Sequence, residues 1–304
     1  RRQGRCSRHR PDLKMSTILV TGGAGSMGRL VVGNLLEQGH TVRVFDLPTV
    51  NYEGLEGEPR VEIARGDLTN PSDVGNACDG VDAIAHLAAI LPPVAEAKPE
   101  LTRHVNIDGT RVVVESALTK SPSARLVLSS SVSVYGDTTP QADEITVHRE
   151  ANPDDVYAAS KAESEQIVVE SDLDWVALRI SGVAVPVFQE PPAEWPFTRD
   201  ERIEFVHRDD AVSALASALN APNAGRKIFN VSGGPTWRMS GEKYVNDYYE
   251  LVEADPAMAV YQAKPGHFDW YQSADGQMAL SYQNTPYDQY LGQIQEDIMK
   301  MLEG

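Results

Sequence analysis

A tyrosine and a lysine four residues apart, Tyr157 and Lys161 in "YAASK", are the clearest chemical signal in the chain. At that spacing on a helix the two side chains share a face. A free phenol, with a pKa of about 10, is a poor base at neutral pH. An ammonium held nearby favours the phenolate, which suits the pair to moving a proton to or from a hydroxyl or carbonyl oxygen. None of the other ten tyrosines has a lysine four positions later. Upstream, "LSSSVSVYG" closes a strand-like run with Ser129, Ser130 and Ser131. One of these hydroxyls could hold the reacting oxygen beside Tyr157. A serine run alone is more often structural, and only the combination points to chemistry.

A second constellation is "TILVTGGAGSMG" at 17–28, a strand-like run entering a turn with Gly22, Gly25 and Gly28. Gly22 permits the tight turn, Gly25 lets backbone approach a pyrophosphate, and Gly28 allows close helix–strand packing. The helix opened by Gly25, Ser26, Met27 and Gly28 offers free N–H groups and a positive dipole end to phosphates. Asp46, ending the next strand, is placed to accept hydrogen bonds from the adenosine ribose. No Arg or Lys lies within the loop or directly after Asp46. The expected dinucleotide is therefore NAD rather than NADP, with Arg43, three residues earlier, as the counter-argument.

These groups need a frame, and the patterning supplies one. Segments 16–21, 41–46, 61–68, 81–89, 124–131 and 174–180 read as strands. They alternate with helical patterns, notably 26–39, 104–120 and 153–171. That alternation predicts an α/β fold, a Rossmann-type doubly wound parallel sheet covered on both faces. Residues 15–180 are expected to form the NAD-binding Rossmann domain. Residues 181–304 read as a small substrate-binding portion interleaved with the last sheet elements at 208–233. The stretch 181–205 is proline-rich and irregular, and the tail from Met239 reads as helical with clustered aromatics, including Tyr244, Tyr248, Tyr249, Trp270 and Tyr290. That cluster reads as core by default, with a lid or a dimer contact as alternatives.

The 304 residues carry a net charge of −17 and 41% hydrophobic residues, enough for a sizeable core. No apolar run approaches the roughly 20 residues a membrane span needs. Residues 1–14 hold six Arg/Lys against one Asp. They are expected to be a disordered or non-native head preceding a natural start at Met15. The alternative, a nucleic-acid-binding arm, conflicts with an acidic body that repels phosphate backbones. Cys6 and Cys78, the two cysteines, form neither a disulfide framework nor a metal motif. That usage suits a reducing, cytoplasmic setting.

Over about residues 16–235 the chain resembles the extended short-chain dehydrogenase/reductases of the NAD-dependent epimerase/dehydratase family. The resemblance rests on "TGGAGSMG", Asp46, "GDLTN", "HLAA", "VNIDGT", "SSSVSVYG", "YAASK" and "FVHRDDA". It implies Ser131 as the catalytic serine, Tyr157 as acid/base, and Lys161 as its partner and a ligand of the nicotinamide ribose. It also implies Asp67 and Leu68 against the adenine. Leu87, Ala88, Ala89 and Asn106 are implied to line the cofactor, and a homodimer to form through helices 104–120 and 153–171. His86 by itself reads as a packed strand-end histidine. Val132 and Ser133 stand where the family's dehydratases carry acids, which points away from dehydration. Ala184 replaces the tyrosine of the sugar-nucleotide enzymes, and their phosphate-binding arginine falls on Ile203, with Arg199 and Arg202 out of register. A small sugar-like or secondary-alcohol substrate, oxidised by NAD, is the expectation. An epimerase that retains its cofactor and a non-catalytic dinucleotide sensor are the alternatives.

Overall fold

The computed structural model describes residues 15–139 and 143–303. The basic head, and Cys6 within it, lies outside the described residues. In chain order the first half runs β1 (Thr17–Thr21), α1 (Ser26–Glu37), β2 (Thr41–Asp46), β3 (Val61–Arg65), α2 (Pro71–Cys78) and β4 (Ala83–His86). It continues with α3 (Val94–Ala97), α4 (Pro99–Thr102), a π-helical turn (Arg103–Asp108), α5 (Gly109–Lys120), β5 (Arg125–Ser131), α6 (Val156–Val169) and β6 (Asp174–Ile180). Then come β7 (Val183–Ala184), β8 (Arg202–Glu204), β9 (Val206–His207), α7 (Arg208–Ala218) and β10 (Lys227–Val231). The chain closes with β11 (Arg238–Ser240), α8 (Gly241–Leu251), α9 (Ala274–Leu280) and α10 (Tyr287–Glu303).

Seven strands form one parallel sheet in the order β10-β6-β5-β4-β1-β2-β3. Side chains alternate between its faces, because successive Cβ atoms on a strand point oppositely. Ile18 and Val20 of β1 join Val31, Leu35, Val212 and Leu215 on one face. Leu19 joins Val74, Val113, Ala117 and Val168 on the other. Both faces are thus covered, as a parallel sheet requires. The strand order reverses between β1 and β4, which opens a crevice at the carboxyl ends of the strands.

The expected strands at 41–46 and 174–180 match β2 and β6, whereas the run 81–89 forms a strand only over Ala83–His86. Its remainder, Leu87 to Ala89, leaves the sheet and lies half-buried along the crevice. The helix expected over 104–120 is broken by the π-helical turn. Two contacts hold the widened turn in place: Asn106 is tied to Ile90, and Gly109 packs so closely on Leu68 that a Cβ would lie 2.7 Å from its side chain. Wide turns of this kind concentrate at functional sites. The tail is not uniformly helical either, since it opens on β11 and an irregular span separates α8 from α9.

The aromatic cluster is core except at Trp270, which is half-buried beneath Arg202. Trp195, Phe197, Trp237, Tyr244, Tyr248, Tyr249, Tyr287 and Tyr290 are all buried together in a separate third cluster. Cys78 ends α2 and is buried; burial pushes its thiol up to about 12, which leaves it unreactive. No helix among the described residues is long and apolar enough to cross a membrane.

Candidate active site

The crevice is bounded on one side by the glycine loop. Gly22 has a positive φ of 69° and sits against the backbone of Ala88, where a Cβ would come within 2.9 Å. A Cβ on Gly28 would lie 2.1 Å from the Gly22 carbonyl oxygen, so only glycine lets α1 start this close to β1. Gly25 is the N-cap of α1; no side chain caps the helix and its first turn carries no acid. Gly25 and Ser26 are exposed, Met27 half-buried. Uncapped N–H groups at an exposed helix start are an anion site, and this loop therefore fits a pyrophosphate.

Asp46 stands beside the loop, partly exposed. One carboxylate oxygen accepts from Ala24 N at 3.1 Å and the other from Leu47 N at 2.9 Å. Each oxygen keeps a lone pair for a ribose hydroxyl. The nearby cations are occupied. Arg43 pairs with Glu62 at 2.9 Å. Arg65, in register with Asp46, pairs with Glu56 and lies over Tyr52. Arg29, directly after Gly28, reaches the carbonyls of Ala24, Asn51 and Glu53. Asp67 is exposed, and one of its oxygens is held by Thr69 N and Oγ1, which lowers its pKa. Leu68 is buried and packs in the core, leaving its backbone as the part that can meet an adenine.

On the other side of the crevice, β5 and α6 meet in a polar seam. Tyr157, Lys161 and Glu165 occur every fourth residue on α6 and so share a face. Each meets one serine of the β5 end. Lys161 Nζ donates to the Ser129 carbonyl at 2.8 Å. Ser130 Oγ donates to Glu165. Ser131 hydrogen-bonds the Tyr157 phenol, favouring its ionised form. Ser131 Oγ also accepts from Ser133 N at 3.1 Å and Ser133 Oγ at 2.9 Å. With both lone pairs engaged, its own proton is the one that faces the Tyr157 phenol. Glu96 accepts from the backbone N–H groups of Val156 and Tyr157 at 3.1 and 3.0 Å, capping the first turn of α6.

The electrostatics correct one expectation. Lys161 does not pull Tyr157 below the ordinary phenol value. Burial pushes the phenol up to about 12, with Ser131 lowering it and Asp155 raising it. Lys161 lies 5.8 Å from the ring centroid. Burial takes Lys161 down to about 8, against which Glu165 raises it. At neutral pH the pair is therefore a protonated phenol beside a mostly charged ammonium.

Asn106 is buried beside the crevice. Its Nδ2 donates to Ile90 O at 3.1 Å and Ser160 Oγ at 2.9 Å, and its Oδ1 accepts from Ile90 N at 2.7 Å. These bonds fix the Leu87–Ile90 segment at the crevice. His86 is buried between Thr21 Oγ1 (2.7 Å) and Thr110 Oγ1 (2.9 Å). Burial and the Lys161 charge push it down to about 3, so it is a neutral strut. The roles of Ser133, Glu96 and Glu165 were not anticipated. Of these, only Glu165 left a signal, its spacing from Tyr157 and Lys161.

Beyond β6 a cleft of about 310 Å³ opens, lined among others by Val183, Ala184, Trp195, Phe197, Phe205 and Tyr244. Ile180 is in register with Ser131, so this wall begins three residues past the seam. Gln189 and Glu190 also line it. Its tyrosine hydroxyls already have partners: Tyr244 with Tyr290 at 3.3 Å, Tyr248 with the Gln189 carbonyl. A larger hollow of about 670 Å³ involves Trp175 and Lys227, near the amino ends of β6 and edge strand β10, away from the crevice. The arginines near the expected phosphate position are engaged. Arg199 pairs with Glu242 at 2.9 Å, Arg202 pairs with Asp269 and stacks on Trp270, and Ile203 is buried.

Fold and seam together are those of an extended short-chain dehydrogenase/reductase. The chain belongs to the NAD-dependent epimerase/dehydratase family, which it matches over residues 18–193. Among curated relatives it is similar to a 3-beta-hydroxysteroid dehydrogenase of Mycolicibacterium neoaurum, 33% identical over 56% of this chain and 48% of that one. It is also similar to tetraketide alpha-pyrone reductase 2 of Arabidopsis thaliana, 30% identical over 77% of this chain and 83% of the relative. The chain spans about half the length of the curated relatives it matches first, 54% and 48% of them. Among solved structures, a short-chain dehydrogenase/reductase superfamily protein from Agrobacterium tumefaciens with bound NAD shares the fold. Its TM-score is 0.77 at 22% identity, over 94% of this chain and 98% of that one.

Proposed function

We propose that this protein is an NAD-dependent oxidoreductase that interconverts a secondary alcohol and a ketone on a small substrate with a largely apolar body. The observation that carries the reading is the seam. A phenol, an ammonium and a serine hydroxyl converge at the carboxyl end of β5, across the crevice from an uncapped glycine loop. Gly22, Gly25, Ser26, Met27 and Gly28 would hold the NAD pyrophosphate, Asp46 the adenosine ribose, and Asp67 with the Leu68 backbone the adenine. Leu87, Ala88 and Ala89 would line the nicotinamide half, and Lys161 would reach its ribose. Bound there, NAD supplies a hydride acceptor.

The chain's own groups handle the proton. Ser131 is placed to turn its one hydroxyl proton from the Tyr157 phenol to the substrate oxygen. Tyr157, protonated at neutral pH, is ready to donate to a carbonyl oxygen, so ketone reduction finds it in the required state. In alcohol oxidation it must first ionise, which the Ser131 hydrogen bond favours. The apolar cleft, its engaged tyrosine hydroxyls and the engaged Arg199 and Arg202 support a compact apolar substrate over a nucleotide diphosphate. We also assign residues 181–304 to the substrate wall, and a homodimer to the helices at 104–120 and 153–171, which leave Leu118 and Val169 exposed. Light scattering of the purified protein decides the dimer.

The test is NADH absorbance with a panel of secondary alcohols bearing aryl or alicyclic groups, beside sugars, uronates and sugar nucleotides. Accumulation of NADH with the apolar members supports the proposal. A substrate that changes configuration without NADH accumulation overturns net oxidation in favour of epimerisation. Saturable NAD binding with no turnover of any member favours the sensor.

A further inference from the structure

Glu165 and Arg179 form an ion pair that is almost wholly buried. Arg179 Nη2 lies 2.8 Å from Glu165 Oε2, and Nε lies 3.1 Å from both carboxylate oxygens. The side chains are 6% and 7% exposed, which makes the desolvation cost of the pair large. Two apolar side chains of similar volume would stabilise such a site as well or better. The pair therefore calls for a role other than stability, and its surroundings supply one. Glu165 is one helical turn past Lys161, and Ser130 Oγ donates to the same carboxylate. Arg179 lies 4.8 Å over the Tyr135 ring, and Tyr135 Oη donates to Asn230 Oδ1 at 2.6 Å, so the carboxylate is fixed from β6 as well as from β5.

We infer that Glu165 is a positioning residue whose carboxylate holds Lys161 as an ammonium against Ser129 and locks the serine-bearing end of β5 onto α6. The groups facing Lys161 leave this task to Glu165. On β4, His86 is neutral and can contribute no counter-charge. On α6, Tyr157 holds its proton. Arg179 on β6 carries the same sign as Lys161 and is neutralised by Glu165 itself. Burial works against the ammonium, and Glu165 opposes it. Without that carboxylate, burial would act on the Lys161 ammonium unopposed, weakening its attraction for a ribose hydroxyl and for a developing phenolate.

The inference rests on the place of Lys161 in the proposed site, but its test reads Lys161 alone and needs neither NAD nor substrate. Nζ-detected heteronuclear NMR of the full chain follows the lysine side chains through a pH titration, with Lys161→Met identifying the signal. The wild type is expected to titrate near pH 8. Glu165→Gln is expected to lower that midpoint by at least about one pH unit, whereas Glu165→Asp keeps the charge and restores most of it. Where Glu165→Gln alone does not fold because Arg179 is left unpaired, Glu165→Gln with Arg179→Gln removes both charges, and its midpoint must lie below that of Arg179→Gln, which keeps the Glu165 carboxylate. A folded variant lacking the Glu165 charge whose Lys161 midpoint equals that of its Glu165-bearing parent overturns the inference. Failure of the NADH panel would leave this result untouched, so the two readings fail separately.

Discussion

The seam between β5 and α6 and the aromatic lobe beyond β6 are both buried, and they are built on opposite principles. In the seam, Ser129, Ser130 and Ser131 each meet a different polar residue of α6, and Ser133, Glu96 and Arg179 steady those contacts. In the lobe, rings pack on rings: Trp237 lies 5.2 Å from Tyr287 and 5.0 Å from Tyr290, and Trp195 edges against Tyr244 at 5.9 Å. The seam gains little stability from its buried polar groups, because each hydrogen bond replaces one to water. What it gains is geometry and charge. The lobe gains stability by area, and its cleft is walled mainly by rings and aliphatic side chains. Under the proposed function, the difference teaches that reaction type and substrate choice are carried by separable parts of the chain.

The comparison breaks most sharply at Tyr157. Tyr157→Phe is expected to cut turnover by roughly 10²–10⁴-fold while NAD affinity, read by fluorescence titration, and thermal stability stay near wild type. A variant that fails to bind NAD would mean that the seam is structural. The converse is Trp237→Ala, expected to cost about 3–5 kcal/mol of stability in a denaturant titration. If this variant instead left stability alone, the lobe would not be a core.

The next effect is smaller and lies on the far side of the crevice. Asp46→Ala should weaken NAD by about tenfold or more, from the loss of charge-assisted hydrogen bonds, and NADP by less. Equal losses in paired binding isotherms would remove Asp46 from the ribose. For pH, the signs follow from the seam. Lys161 is charged below about 8, and Tyr157 keeps its proton up to about 12. Ketone reduction should therefore be level from weakly acid to neutral pH and decline above about 8 as Lys161 discharges. A rate that climbs steadily through that range would contradict the assignment. The smallest effect is Ser133→Ala, which frees Ser131 from one hydrogen bond worth about 1 kcal/mol. It should slow turnover several-fold with little change in NAD affinity.

Much of the seam and almost none of the lobe could be read from the sequence. Gly22, Gly28, Asp46, Tyr157 and Lys161 are constrained by local geometry: a turn, a strand end, a helical repeat. Local geometry leaves a pattern in neighbouring residues, and the seven-stranded sheet followed from the same periodicities. Lys161 was expected to lower the Tyr157 pKa, and failed to, because burial depends on what packs around both groups and no spacing reports it. Asn106 stood out only through the family resemblance, and its long-range bonds to Ile90 and Ser160 leave no local pattern in the sequence. The wall of the cleft beyond β6 joins Val183, Phe205 and Tyr244, brought together by tertiary packing with no motif to mark them.

The central claim, that this seam moves a proton in step with a hydride, is tested most directly by isotope transfer. NADH carrying deuterium at the nicotinamide C4 is mixed with the protein and a panel of aryl and alicyclic ketones, and the products are read by mass spectrometry. Deuterium at the carbinol carbon, formed by the wild type and lost in Tyr157→Phe, is the predicted result. Saturable NADH binding with no deuterium in any product, or equal transfer by Tyr157→Phe, would contradict it.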